Sequence, residues 1–127
     1  MPTISILIAD DDPMVRQCLR HAMEADPELL ILWEADNGLQ ALMLAGKHSP
    51  ELILIDAQMP RMDGIEATRC LRQKGTTSRI VVMSVYEQSR TQALEAGADA
   101  FVVKDCGCAA LRDVLHRVVK REPKLAV

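Results

Sequence analysis

The sequence is poor in aromatic residues: Trp33, Tyr86 and Phe101 are all it has. Sequence-tolerant binding of single-stranded nucleic acid leans on base stacking against such rings, so that class of function has little to stand on. No stretch reaches the roughly 18 apolar residues that a membrane span requires, and no membrane partner is expected. There is no excess of positive charge either. The net charge is −3, which gives no electrostatic reason to approach nucleic acid or an anionic membrane surface. A secretory pattern is absent at the start, because "MPTISILIADDD" turns acidic after a short apolar run. The four cysteines, Cys18, Cys70, Cys106 and Cys108, are therefore expected as reduced thiols in a cytoplasmic protein. The "CGC" pair at 106–108 is too closely spaced for the usual zinc pattern, and two further ligands are missing beside it. It reads as small residues opening a helix.

What is present is a regular alternation. The 127 residues match a single domain large enough to bury a core without staples. "TISILIA" (3–9), "LLILWEA" (29–35), "ELILIDA" (51–57), "RIVVMSV" (79–85) and "AFVVK" (100–104) are rich in Ile, Leu and Val. They mostly do not alternate with polar residues, as in strands of a parallel sheet buried on both faces. Between them lie amphipathic helical patterns. Val15, Leu19, Ala22 and Met23 fall on one helical stripe, and Leu111, Val114, Leu115, Val118 and Val119 on another. Asp12 before Pro13 predicts a helix start, an N-cap followed by proline at the first position. Gly97 suits a C-cap after "QALEA", and Pro123 is expected to end the last helix. Five strands alternating with five helices predict a three-layer α/β domain with right-handed crossovers.

In such a sheet, ligands bind beyond the carboxyl ends of the strands. The first strand runs into Asp10, Asp11 and Asp12, the third ends in Asp56, the fourth in Ser84 and the fifth in Lys104. The oily run Leu52–Ile55 thus reads as a central strand holding Asp56 out at the rim. Each of these residues alone has a plainer reading: Asp12 as a cap, Asp10 as a surface acid, Ser84 and Lys104 as ordinary strand ends. The joint pattern, one group per strand end, is what points to a site. Clustered carboxylates repel unless a cation is present, and hard oxygen donors favour Mg²⁺; Mn²⁺ would serve as well. This is the pattern of an aspartate nucleophile that takes a phosphoryl group while a metal offsets the charge. Ser84 would donate a hydrogen bond to the product and Lys104 would pair with a phosphate oxygen.

With these residues in view, the chain resembles the receiver domains of bacterial two-component response regulators over about residues 3 to 121. "LIADDDPMVR" looks like the acidic first-strand motif, "LILIDAQMPRMDG" the phosphoacceptor motif, "VVMS" the hydroxyl motif and "GADAFVVKD" the lysine motif. The "DPM" after the acidic pair and the "KD" after the last strand are similar to the NarL/FixJ subfamily. The resemblance implies a flavodoxin-like fold with strand order 2-1-3-4-5. It implies phosphorylation of Asp56 by a sensor histidine kinase, with Mg²⁺ held directly by Asp11, through water by Asp10, and by Asp56 and the Gln58 backbone carbonyl. The side chain of Gln58 would be left free to tune dephosphorylation. Ser84 and Lys104 would contact the phosphoryl group, and Phe101 would be an aromatic switch that turns inward as Ser84 moves. Val85, bulkier than the usual residue there, would narrow access. The face of the fourth helix, fifth strand and fifth helix would serve output, including a homodimer formed on phosphorylation. The domain is expected to span 1–121, with 122–127 a basic tail or the start of a linker. DNA would be reached only through a helix-turn-helix output domain outside this chain. The peptide isomer at Lys104–Asp105 is left open by the sequence.

Three other readings compete with this one. An aspartyl-phosphate phosphatase would need a second aspartate two residues beyond the nucleophile, where this chain has Gln58. A flavin-binding module would want a phosphate-cradling loop after the first strand, where this chain has "DDDP". A stand-alone receiver, or a pseudo-receiver working as an interaction module without phosphorylation, is the remaining alternative. The domain is not expected to be an enzyme beyond catalysing its own phosphorylation and dephosphorylation.

Overall fold

A computed structural model describes residues 3–120. The basic tail 122–127 and the helix stop at Pro123 lie outside the described residues. Ten elements alternate along the chain: β1 (Ile4–Ala9), α1 (Pro13–Glu24), β2 (Leu29–Ala35), α2 (Gly38–His48), β3 (Leu52–Asp56), α3 (Gly64–Gln73), β4 (Arg79–Ser84), α4 (Ser89–Ala96), β5 (Ala100–Val103) and α5 (Cys108–Lys120). The sheet is parallel in the order β2-β1-β3-β4-β5. This is the three-layer, flavodoxin-like topology expected from the alternation.

The strand side chains divide between two cores, as the pleat demands. Ile6, Ile8, Leu52, Leu54, Val81 and Met83 pack under α1 and α5, with Leu19, Met23, Leu111, Leu115 and Val118. Leu7, Ala9, Ile53, Ile55, Ile80 and Val82 face the opposite way, toward α2, α3 and α4. On that side the helices present alanines, Ala41, Ala45, Ala67 and Ala93, all buried. Their small size lets the helices lie close to the sheet. All five residues of β3 are buried, which makes it the central strand its unbroken apolar run required. β2 differs from the expectation of burial on both faces: Leu30 is 40% and Leu32 54% exposed. The reason is topological, since β2 is an edge strand.

The helix signals act as expected. The Asp12 side chain accepts from the Met14 N–H, and Pro13 opens α1. Gly97 closes α4 at φ 113°, a left-handed conformation that glycine adopts without strain. Arg72, at the end of α3, ties that corner together. Its guanidinium donates to the carbonyls of Gly97 (2.8 Å) and Ser78 (3.0 Å) and pairs with Asp99 (2.7 Å). Asp99 also accepts from the Ile80 N–H at 2.8 Å. Arg72→Met would leave the little-exposed Asp99 carboxylate without its counter-ion. The expected loss is about 2–4 kcal/mol, read from the urea midpoint at constant slope.

Candidate functional site

The parallel strands end together at one edge, and the residues that follow them converge there. Asp10 is fully buried, Asp56 is 3% exposed and Ser84 fully buried, while Asp11 is exposed. One carboxylate oxygen each from Asp10, Asp11 and Asp56 lies within 4.8 Å of the others. The Lys104 ammonium reaches across to Asp10 Oδ2 at 2.8 Å and Asp56 Oδ2 at 3.1 Å. These two contacts bind the end of β5 to the ends of β1 and β3. The three acids are hard oxygen donors at a spacing that a small divalent cation can span, so the residues present fit Mg²⁺.

Electrostatics follow from the burial. Burial pushes the Asp56 carboxyl above its ordinary value, and the charge on Asp10 pushes it further; Lys104 and the Gln58 N–H only partly offset this. Burial would lower Lys104, but its hydrogen bond to Asp10 and the charges of both carboxylates outweigh that and hold its pKa above the usual lysine value. Asp56 is thus a desolvated carboxylate stabilised by one cation and under repulsion from one neighbour.

Two further contacts brace Asp10. The Asp12 N–H donates to Asp10 Oδ1 at 2.9 Å, and Arg16 Nη1 donates to the Asp10 carbonyl at 2.6 Å. Arg16 is itself held by Glu34 at 3.1 Å. The sequence reading missed this clamp, although Arg16 lies on the first turn of α1, near the acidic triplet. The loop after β3 is braced by a close approach of backbones. A Cβ on Gly64 would stand 2.0 Å from the Asp56 carbonyl oxygen, so no larger residue fits without moving the first turn of α3. Gly64→Ala is expected to cost about 1–3 kcal/mol and to slow chemistry at Asp56. A denaturation curve with a phosphoryl-uptake assay would check both.

Ser84 and Gln58 are engaged with each other. The Ser84 hydroxyl donates to Gln58 Oε1 at 2.9 Å and accepts from the Tyr86 N–H at 2.9 Å. Gln58 Nε2 lies 3.5 Å from the Ser89 hydroxyl, and its backbone N–H donates to Asp56 Oδ1 at 3.3 Å. The sequence did not foresee this contact: strand order brings β4 beside β3, and the Ser84 hydroxyl finds the Gln58 amide there. Phe101 is buried within the core with the Arg90 guanidinium over its ring, 5.0 Å from the centroid. Val85 is 63% exposed. The described residues contain no cis peptide bond, so Lys104–Asp105 is trans. No helix among them is long and apolar enough to cross a membrane. An open cleft of about 600 Å³ beside the acids is lined by Asp11, Gln58, Met59, Ser89 and Gln92, among others.

A parallel sheet in this order, with three carboxylates and an ammonium converging beyond β1, β3 and β5, defines the receiver class of two-component signalling proteins. The chain belongs to the response regulator receiver domain family, whose model matches residues 6–116. It is 38% identical over 124 residues to the nitrate/nitrite response regulator protein NarL of Escherichia coli (strain K12), covering 96% of this chain and 57% of that protein. It is also 38% identical over 137 residues to protein-glutamate methylesterase/protein-glutamine glutaminase 4 of Myxococcus xanthus (strain DK1622), covering 94% of this chain and 39% of that protein. Among solved structures, a LuxR-family two-component response regulator from Aurantimonas sp. SI85-9A1 superposes with a TM-score of 0.87 at 30% identity, covering 92% of this chain and 85% of that one. The chain therefore spans little more than half the length of one of these curated relatives and less of the other.

Proposed function

We propose that the domain accepts a phosphoryl group on Asp56 from the phosphohistidine of a sensor histidine kinase. The observation that carries this reading is the buried Asp56 carboxylate, paired with Lys104 and sharing a 4.8 Å cluster with Asp10 and Asp11. In the reaction an Asp56 carboxylate oxygen attacks phosphorus, the phosphorus–nitrogen bond breaks, and the imidazole leaves with the electron pair. Asp10, Asp11, Asp56 and the Gln58 carbonyl would hold Mg²⁺, or Mn²⁺, in its place. When bound, the metal supplies charge neutralisation at the phosphoryl oxygens. Lys104 stays within reach of Asp56 to pair with a product oxygen. Ser84 turns its hydroxyl from Gln58 toward the same group, with Phe101 following as the switch. No turnover of an external substrate is part of this reading.

Phosphorylation then shifts the population between two conformers. The face formed by α4, β5 and α5 would carry the signal to an output domain or to a second copy of the chain. The similarity to the transcriptional regulatory protein LiaR of Bacillus subtilis (strain 168) favours a transcriptional output, through a helix-turn-helix domain that would supply the contact with DNA. A cytoplasmic location follows from the same role. The experiment is incubation with Mg²⁺ and acetyl phosphate followed by intact mass. Wild type should gain one phosphoryl increment that is lost without the metal. An unmodified wild type, or modification that persists in Asp56→Asn, overturns the assignment.

A further inference from the structure

Three of the four thiols lie around one groove that shares only Lys104 with the acidic site. The groove, about 280 Å³, runs between α1 and α5 and is lined by Met14, Val15, Leu19 and Leu111 together with Cys18, Cys106 and Cys108. Among the described residues only Asp10, Asp11 and Asp56 gather three acidic, histidine or cysteine donors tightly enough for one ion. The thiols therefore do not form a shared metal centre.

The register between the two helices is what singles out a pair. α1 and α5 cover the same face of a parallel sheet, so they run in the same direction. Two contacts cross between them, and both join residues 90 positions apart. Asp26, just past α1, meets His116 at 2.5 Å, and the Ala22 carbonyl accepts from Arg112 at 2.9 Å. The step from the first contact to the second is four residues along both segments, one helical turn. Carried one turn further, the same register would set Cys18 against Cys108, also 90 apart, and both line the groove. Where the lower turns are bridged by long side chains, this one has two short thiols, both on exposed residues, facing an open groove.

We propose that Cys18 and Cys108 are a redox pair that a hydroperoxide converts to an intramolecular disulfide. The first thiolate attacks the distal peroxide oxygen, the oxygen–oxygen bond breaks, and the alcohol or water leaves with a proton. The resulting sulfenic acid is attacked by the second thiol. A sulfur–sulfur bond forms, and water leaves with that thiol's proton. Two thiols and one hydroperoxide thus give one disulfide, one alcohol (or water) and one water. Closure draws the two Cα atoms to about 4.4–6.8 Å, and the groove supplies the space to be closed. The bond would tie the first turn of α5, just beyond Lys104, to α1, which begins just beyond Asp11. Cys106 is the internal control: it lines the same groove but precedes α5 and falls outside the four-residue register.

The test is equimolar hydrogen peroxide on the purified chain, with diamide in parallel as a direct thiol oxidant. Thiol counting, intact mass and a non-reducing peptide map are the readouts. The expected result is loss of two of the four thiols and of two hydrogens in mass, with a linked peptide pair containing Cys18 and Cys108. The yield should be unchanged by tenfold dilution and restored to thiols by dithiothreitol. Cys18→Ser and Cys108→Ser should each abolish the link, and Cys70→Ser and Cys106→Ser should keep it. A bond to Cys106, dimers whose yield falls on dilution, oxygen addition without pairing, or no bond with either oxidant overturns the proposal.

Discussion

Asp56→Asn is expected to melt about 3–6 °C above wild type at pH 7 without metal, the shift that ~1 kcal/mol gives in a domain of this size, while losing all phosphoryl uptake. The carboxylate is held out of water and pushed by Asp10 above its ordinary pKa. A carboxyl whose folded value is raised costs no stability below its unfolded value, and its cost appears as pH rises through the folded one. The advantage of the amide should therefore fade as the pH is lowered into the ordinary carboxyl range. Added Mg²⁺ should also narrow the gap, because only the wild-type carboxylate gains from a cation beside it. Melting curves of the two proteins across pH, with and without Mg²⁺, check each part. A variant less stable than wild type throughout would show that the Lys104 pair outweighs the burial.

Lys104→Met has the opposite sign. It removes the ammonium that touches both Asp10 and Asp56 and leaves two buried carboxylates facing each other. Breaking a fully buried pair costs about 3–5 kcal/mol. The Lys104 side chain is 21% exposed, so about 2–3 kcal/mol is expected at pH 7. Without the cation the carboxyl values rise further, so stability should return as pH falls and one acid is protonated. Phosphoryl uptake from acetyl phosphate should drop by roughly 10² or more, the usual loss when a charge-stabilising donor is removed. Urea midpoints across pH and uptake rates by intact mass separate the two effects. Uptake at the wild-type rate would remove Lys104 from the chemistry.

The acidic site was legible because its members stand at or just beyond strand ends. Asp10, Asp56, Ser84 and Lys104 could be placed at one edge from the alternation alone, before any strand order was known. The caps at Asp12 and Gly97 were legible for a similar reason, since their signals are local. What could not be read depends on which elements are neighbours. The exposure of Leu30 and Leu32 follows from β2 lying at the edge. The grip of Ser84 on Gln58 needs β4 beside β3. The Arg72–Asp99 pair and the Arg16 clamp on Asp10 join segments whose proximity is a matter of tertiary packing. The pairing proposed for Cys18 and Cys108 rests on a register between α1 and α5 that only the tertiary contacts reveal.

A hydroxyl has a single hydrogen to give, and in Ser84 it is already given to the amide of Gln58. Any newcomer at Asp56 that draws this hydrogen away must strand the amide oxygen, which then seeks water or another donor. Serine reorientation and glutamine release are therefore one event rather than two, and a change at position 58 would be felt in how readily Ser84 lets go.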